Sequence, residues 1–187
     1  MFFLSPSQKR FLNSLNPLLI GAIVYSLILF RTTSAFLLPG VLRQWEILLP
    51  FIIYVGQRRT LVEGILLVLF LSHLYSLSSV APIGVFAVYY TLIFFLARLL
   101  SYAVYANTWV TVIGVLFLVA AIGRVLLPFV CFFFGFSWSV LSLKNLAPMG
   151  VVINSVIGLA VYWGLALLDR LTFKLSPINI ELAEGEV

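Results

Sequence analysis

Charged residues are scarce in this sequence. Asp, Glu, Lys and Arg make up 9% of its 187 residues, whereas hydrophobic residues make up 63%. Soluble domains usually contain about 25% charged residues, and a soluble domain of this size could not hide so much apolar surface. The composition therefore excludes a water-soluble fold and predicts a protein whose natural solvent is the lipid bilayer.

Residues that carry catalysis or bind metals are also rare. The chain has one histidine, one cysteine and one aspartate, namely His73, Cys131 and Asp169. These are too few for the familiar metal clusters, and no spacing connects the single histidine and the single aspartate into a recognisable Ser-His-Asp site. The sequence also lacks a glycine-rich phosphate loop. The basic residues are scattered near the ends of apolar runs and form no nucleic-acid-binding patch. We predict no catalytic residue, no metal, no cofactor and no nucleic-acid partner.

Long apolar runs without alternation indicate transmembrane helices, because the bilayer requires every backbone polar group to be paired internally. We predict an all-α, polytopic integral membrane protein, a compact bundle of about six transmembrane helices. The second helix has only about a dozen residues, so it must lie against other helices, thin the bilayer or fail to span it. The predicted helices are 17–38, 44–56, 60–77, 83–104, 107–133 and 149–169.

Basic residues predict the orientation, because cytoplasmic loops are enriched in Lys and Arg. We predict that both termini are cytoplasmic, that residues 1–175 form a single transmembrane domain, and that 176–187 form a short acidic, flexible tail. On this topology the inner side receives Lys9, Arg10, Arg58, Arg59, Arg98, Arg170 and Lys174, and the outer side receives Arg31, Arg43 and Lys144.

Three polar residues within apolar helices are candidates for function. Arg124 lies well inside the fifth helix, where it either contacts an anion or carboxylate in a cavity or interface, or snorkels to the membrane surface. His73, close to Ser76 in the third helix, is either a proton-sensitive group or a hydrogen-bonding partner of a neighbouring helix.

Two further sets concern contacts between helices or proteins. Gly150, Asn154 and Gly158 recur at four-residue intervals, which places them on one helix face for close packing inside the bundle or at a subunit interface. Arg59 and Glu63 are spaced to pair on the third helix at the cytoplasmic surface. With Arg58 they are our candidates for docking a partner.

The stretch from Leu49 to Leu100 resembles the bacterial rod shape-determining protein MreD family. In that family a short helix with an early proline ends in basic residues, the next helix opens with a glycine, and a small-residue turn leads through an apolar-Gly pair into the fourth helix. The family usually has an aspartate eight residues before that glycine, where this sequence has Ser76. The residues that carry the resemblance are Pro50, Arg58, Arg59, Glu63, Gly64, Pro82, Ile83 and Gly84.

The resemblance implies a non-enzymatic scaffold of the cell-elongation machinery in the bacterial inner membrane. It would work with an MreC-like bitopic membrane protein, an MreB-type cytoskeleton and peptidoglycan synthases. The MreD family is similar in fold to the six-helix substrate-binding subunits of energy-coupling-factor vitamin transporters. A transporter subunit is therefore the alternative, with His73, Ser76, Arg124 and Asn154 as the polar groups available to line a pocket.

Overall fold

The computed structural model describes residues 5–34, 46–79, 84–103, 109–135 and 148–174, and these residues form an all-helical bundle. The predicted fold class, a compact six-helix bundle, is confirmed. The predicted tail, 176–187, lies outside the described residues. The helices are α1 (Pro6–Ser34), α2 (Leu48–Arg58), α3 (Leu61–Leu77), α4 (Val85–Ala103), α5 (Trp109–Phe133) and α6 (Pro148–Leu171).

Four of the described helices, α1, α4, α5 and α6, are long and apolar enough to cross a membrane. The third helix, α3, is also apolar but has 17 residues, somewhat fewer than the ~20 that a straight span needs. The protein is therefore a multi-pass membrane protein, although fewer than six of the helices in the described ranges meet the length of a full span.

The short helix α2 occupies the centre of the bundle. It has 11 residues, and all of them except Arg58 are buried. It packs against α3, α4, α5 and α6, so its backbone and apolar side chains are covered by protein. Of the three options for this helix, the structure therefore has it lying against other helices.

The first helix begins earlier than predicted, at Pro6 instead of residue 17. Ser5 and Gln8 form a capping box: the Gln8 amide N–H donates to Ser5 Oγ at 3.3 Å, and the Ser5 amide N–H donates to Gln8 Oε1 at 2.9 Å. Pro6 follows the cap at the position where proline is well tolerated. Pro17, at the predicted start, lies inside the helix.

Pro50 falls inside an apolar run and therefore predicts a kinked helix, and the structure corrects this prediction. Since α2 begins at Leu48, Pro50 lies in the first turn, where its missing N–H would have had no partner within the helix.

Both described chain ends lie at the same end of the bundle. Lys9 Nζ lies 5.3 Å from the centre of the Phe173 ring, and Asn16 of α1 hydrogen-bonds Asp169 and Thr172 near the end of α6. The cytoplasmic location of this end stays a prediction.

Cysteine labelling tests that orientation. In a Cys131→Ala background, we expect Ser78→Cys, exposed at the far end of α3, to react with a membrane-impermeant maleimide in intact cells. The exposed Ser7→Cys should react only after the membrane is opened. The reverse pattern would place both chain ends outside.

Candidate functional site

A buried charged group, which we call the Arg59 cluster, joins α1, α2 and α6 near the chain ends. It consists of Arg59, Asp169, Asn16, Tyr54 and Thr172, all of which are buried. Arg59 Nη2 donates to Asp169 Oδ1 at 2.5 Å and to Asn16 Oδ1 at 2.7 Å. Asn16 Nδ2 donates to Asp169 Oδ1 at 2.9 Å, and the Tyr54 hydroxyl donates to Asp169 Oδ2.

The cluster pairs the Arg59 guanidinium with the Asp169 carboxylate inside the bundle, where either charge would be unfavourable without the other. The Arg59 side chain is 1% exposed and that of Asp169 12%, and an unpaired charge at such a site would cost several kcal/mol. Glu63 continues the cluster towards the surface, with its carboxylate 3.8 Å from Arg59 Nε and 3.1 Å from Lys174 Nζ. Paired charges thereby connect the ends of α2, α3 and α6, and α1 joins them through the hydrogen bonds of Asn16.

Two further arginines surround the C-terminal end of α2. Arg98 Nη1 of α4 donates to the Arg59 carbonyl at 3.0 Å, and Arg58 Nε donates to the Tyr162 hydroxyl of α6 at 3.1 Å. Cations at a helix C-terminus interact favourably with its carbonyl dipoles. The same interactions fix the position of α2 relative to α4 and α6.

A second polar group, the Glu46 cluster, lies at the opposite end of α2 and consists of Glu46, Tyr89, Asn154, Arg124 and Arg31. The Tyr89 hydroxyl donates to Glu46 Oε2 at 3.2 Å, and the Glu46 amide N–H donates to Asn154 Oδ1 at 2.9 Å. Arg124 and Arg31 both attract the Glu46 carboxylate electrostatically. Arg124 therefore lies close enough to Glu46 for the two charges to attract one another within the bundle.

The predicted packing face of α6 points into the bundle. An ideal Cβ on Gly158 would lie 3.2 Å from Pro50 Cβ of α2 and 3.2 Å from Leu116 Cδ2 of α5. Gly150 and Asn154 are buried as well. The close approach of α2, α5 and α6 therefore uses this face.

An apolar groove between α1 and α3 opens on the outside of the bundle. Its cavity volume is about 360 Å³. The α1 wall contains small residues, and at Gly21 an added Cβ would meet no atom within 4 Å. Its lining residues are Pro17, Leu18, Gly21, Ala22, Tyr25, Leu67, Phe70 and Leu74.

The docking prediction requires a correction. Arg59 is 2% exposed and its charge pairs with Asp169, so it cannot dock a partner from the surface. Glu63 does pair with Arg59 as its spacing predicted, although its side chain is only 21% exposed. Arg58 is half-buried against Tyr162.

The other intramembrane candidates do not form one site. His73 is exposed on α3, whereas Ser76 is buried on the same helix. Arg124 and Asn154 belong to the Glu46 cluster. Only the last two are therefore brought together.

Sequence reasoning missed Asp169, Asn16, Tyr54 and Glu46. The available signal was Asp169 itself, the single aspartate of the chain, which ends a run of apolar residues in α6. A lone acid at such a position needs a buried cation.

The described helices define the class as a polytopic helical membrane protein with two internal polar clusters and a lateral apolar groove. Comparison of the chain with family models, curated proteins and solved structures finds no match. The resemblance to the MreD family stays a prediction.

Proposed function

We propose that this protein is a non-enzymatic membrane scaffold whose groove between α1 and α3 binds a transmembrane helix of a partner protein. The observation that carries this proposal is the chemistry of the groove, which is apolar and opens sideways from the bundle. Gly21 and Ala22 form part of its α1 wall, and small residues allow two transmembrane helices to approach closely. Large apolar side chains of a partner helix suit this surface better than a polar substrate does.

The placement of the polar side chains supports the scaffold over the transporter alternative. A pocket for a small polar molecule needs polar groups that converge on one cavity. Asn154 instead accepts a hydrogen bond from the Glu46 amide N–H, and Arg124 attracts the Glu46 carboxylate. The exposed His73 lies on α3. The Arg59 cluster is likewise held by its own hydrogen bonds, which suits a rigid framework.

The resemblance to the MreD family gives this scaffold a biological setting. On that basis, the protein belongs to the bacterial inner membrane, with both termini cytoplasmic, and supports peptidoglycan synthesis and cell shape. An MreC-like bitopic protein supplies the single helix that enters the groove. An MreB-type cytoskeleton and peptidoglycan synthases are the further partners.

Filling the groove tests the proposal. Gly21→Leu should reduce recovery of the partner in a gentle-detergent purification about tenfold, because a side chain placed where the partner packs costs on the order of 1–3 kcal/mol. Mass spectrometry of the purified wild-type complex identifies the partner, and quantitative blotting compares the variants.

Gly164→Leu is the matched control. Gly164 lies on α6, away from the groove, and an added Cβ there also meets no atom within 4 Å. This variant should retain the partner. If Gly21→Leu retains it equally well, the groove is not the binding site.

A further inference from the structure

The last turn of α2 contains a buried glutamine whose amide is not hydrogen-bonded. Gln57 is 5% exposed, and neither its Oε1 nor its Nε2 has a hydrogen-bond partner among the residues that the structure describes. Burying an amide without hydrogen bonds is costly, and an unsatisfied buried group in a folded protein calls for an explanation. A polar group from outside the described residues would remove this cost.

Gln57 faces α6, at the end of the bundle where α6 itself ends. It follows Pro50 by seven residues, which is close to two helical turns, so both lie on the same face of α2. Pro50 packs against α6, since an ideal Cβ on Gly158 would lie 3.2 Å from Pro50 Cβ. The next residue, Arg58, donates to the Tyr162 hydroxyl of α6 at 3.1 Å. The free amide and the guanidinium therefore both adjoin α6.

Positive charge is in excess at this end of α2. The two carboxylates there, Asp169 and Glu63, are already paired with cations of the Arg59 cluster and its extension. Arg58 and Arg98 are half-buried, and neither forms an ion pair with a carboxylate in the described ranges. Two guanidinium charges without a counter-charge attract an anion to this position.

The headgroup of an anionic phospholipid has the chemistry that this position calls for. A guanidinium has five N–H donors and binds phosphate oxygens well, and Arg58 donates only through Nε in the described residues. A headgroup hydroxyl both donates and accepts hydrogen bonds, so it can pair with either atom of the Gln57 amide. Basic pockets between transmembrane helices are known to bind anionic headgroups. The exposed Lys9 and Arg170 at the same end mark the level at which spans usually meet the headgroups.

We propose that Arg58 and Gln57 bind the headgroup of an anionic phospholipid where α2 meets α6. The Arg58 guanidinium pairs with the lipid phosphate, and the Gln57 amide hydrogen-bonds the polar part of the headgroup. The site shares no residue with the groove between α1 and α3, so it does not depend on the proposed function.

Titration of the detergent-purified protein with phosphatidylglycerol, followed by native mass spectrometry, tests the charge. Arg58→Gln should lower the affinity about threefold to tenfold, because one basic residue near an anionic headgroup contributes roughly that much. Arg170→Gln is the matched control, since it removes an exposed positive charge at the same end, and it should have little effect. Equal losses for the two variants would show a non-specific attraction to basic residues and overturn the site.

Gln57→Leu tests the amide with two readouts. The lipid-free variant should unfold at the same temperature or higher, because an unsatisfied buried amide has been removed. Its affinity for phosphatidylglycerol should nevertheless fall about threefold, the effect of one hydrogen bond in a membrane. An unchanged affinity overturns the role of Gln57.

The identity of the ligand is tested with the wild-type protein. Phosphatidylcholine, which has no net charge, should bind more weakly than phosphatidylglycerol, and an excess of inorganic phosphate should leave the bound lipid in place. Equal binding of the two lipids would contradict recognition of an anion. Displacement by inorganic phosphate would show that a free anion occupies the site and would overturn the assignment to lipid.

Discussion

Replacing Asp169 with leucine is expected to lower the free energy of unfolding by about 3–5 kcal/mol, because the buried Arg59 guanidinium loses its nearest counter-charge and keeps only Glu63, 3.8 Å from its Nε. Asn16 Nδ2 and the Tyr54 hydroxyl lose the same acceptor. Reversible denaturation in detergent, followed by circular dichroism, measures the loss.

The double variant Arg59→Met/Asp169→Leu tests whether the loss comes from the unpaired charge or from any change of side chain at this position. Removing both charges leaves no buried ion to stabilise, and apolar replacements of buried pairs are often neutral. We expect the double variant to be more stable than Asp169→Leu alone, with a coupling energy of about 2–3 kcal/mol. Additive losses would contradict a direct charge pair.

The sequence could not identify Arg59 as the partner of Asp169, because the two residues are 110 positions apart. Composition was enough to predict a helical membrane bundle, since the shortage of charge and the length of the apolar runs permit few other folds. Placing Arg59 on the surface was reasonable from its position beside a predicted helix end. The structure instead buries it, because Asp169 at the end of α6 is brought next to it.

The α2 helix shows the same difference between local and tertiary information. Its sequence is apolar and too short to span the bilayer. This predicts that the helix is not an ordinary span, but it does not predict which helices surround it. Those surroundings are supplied by α3, α4, α5 and α6, which pack around α2. By contrast, the start of α1 is locally encoded, since Ser5, Pro6 and Gln8 form a recognisable cap. The apolar run alone predicts a start that is too late.

Likewise, the groove could not be predicted from sequence. Gly21 and Ala22 are two small residues in an apolar helix, and only the neighbouring Leu67, Phe70 and Leu74 of α3 turn them into a concave surface.

The second large effect is expected at Gly56, where α2 and α4 come into close contact. An ideal Cβ there would lie 3.0 Å from the Phe94 carbonyl oxygen and 3.1 Å from Ala97 Cβ. The backbone of α4 cannot rotate away as a flexible side chain could, so Gly56→Ala should push the two helices apart and cost about 1–3 kcal/mol.

Gly114→Ala on α5 is the control for the helical preference of alanine. An added Cβ at Gly114 meets no atom within 4 Å, so that variant should be neutral or gain up to about 1 kcal/mol. A loss for Gly56→Ala with no loss for Gly114→Ala in the same unfolding assay would assign the loss at Gly56 to packing. If Gly56→Ala proves as stable as Gly114→Ala, then α2 and α4 are not in close contact at Gly56. The bundle would then lack the tight packing around α2 on which the rigid framework of the proposed scaffold depends.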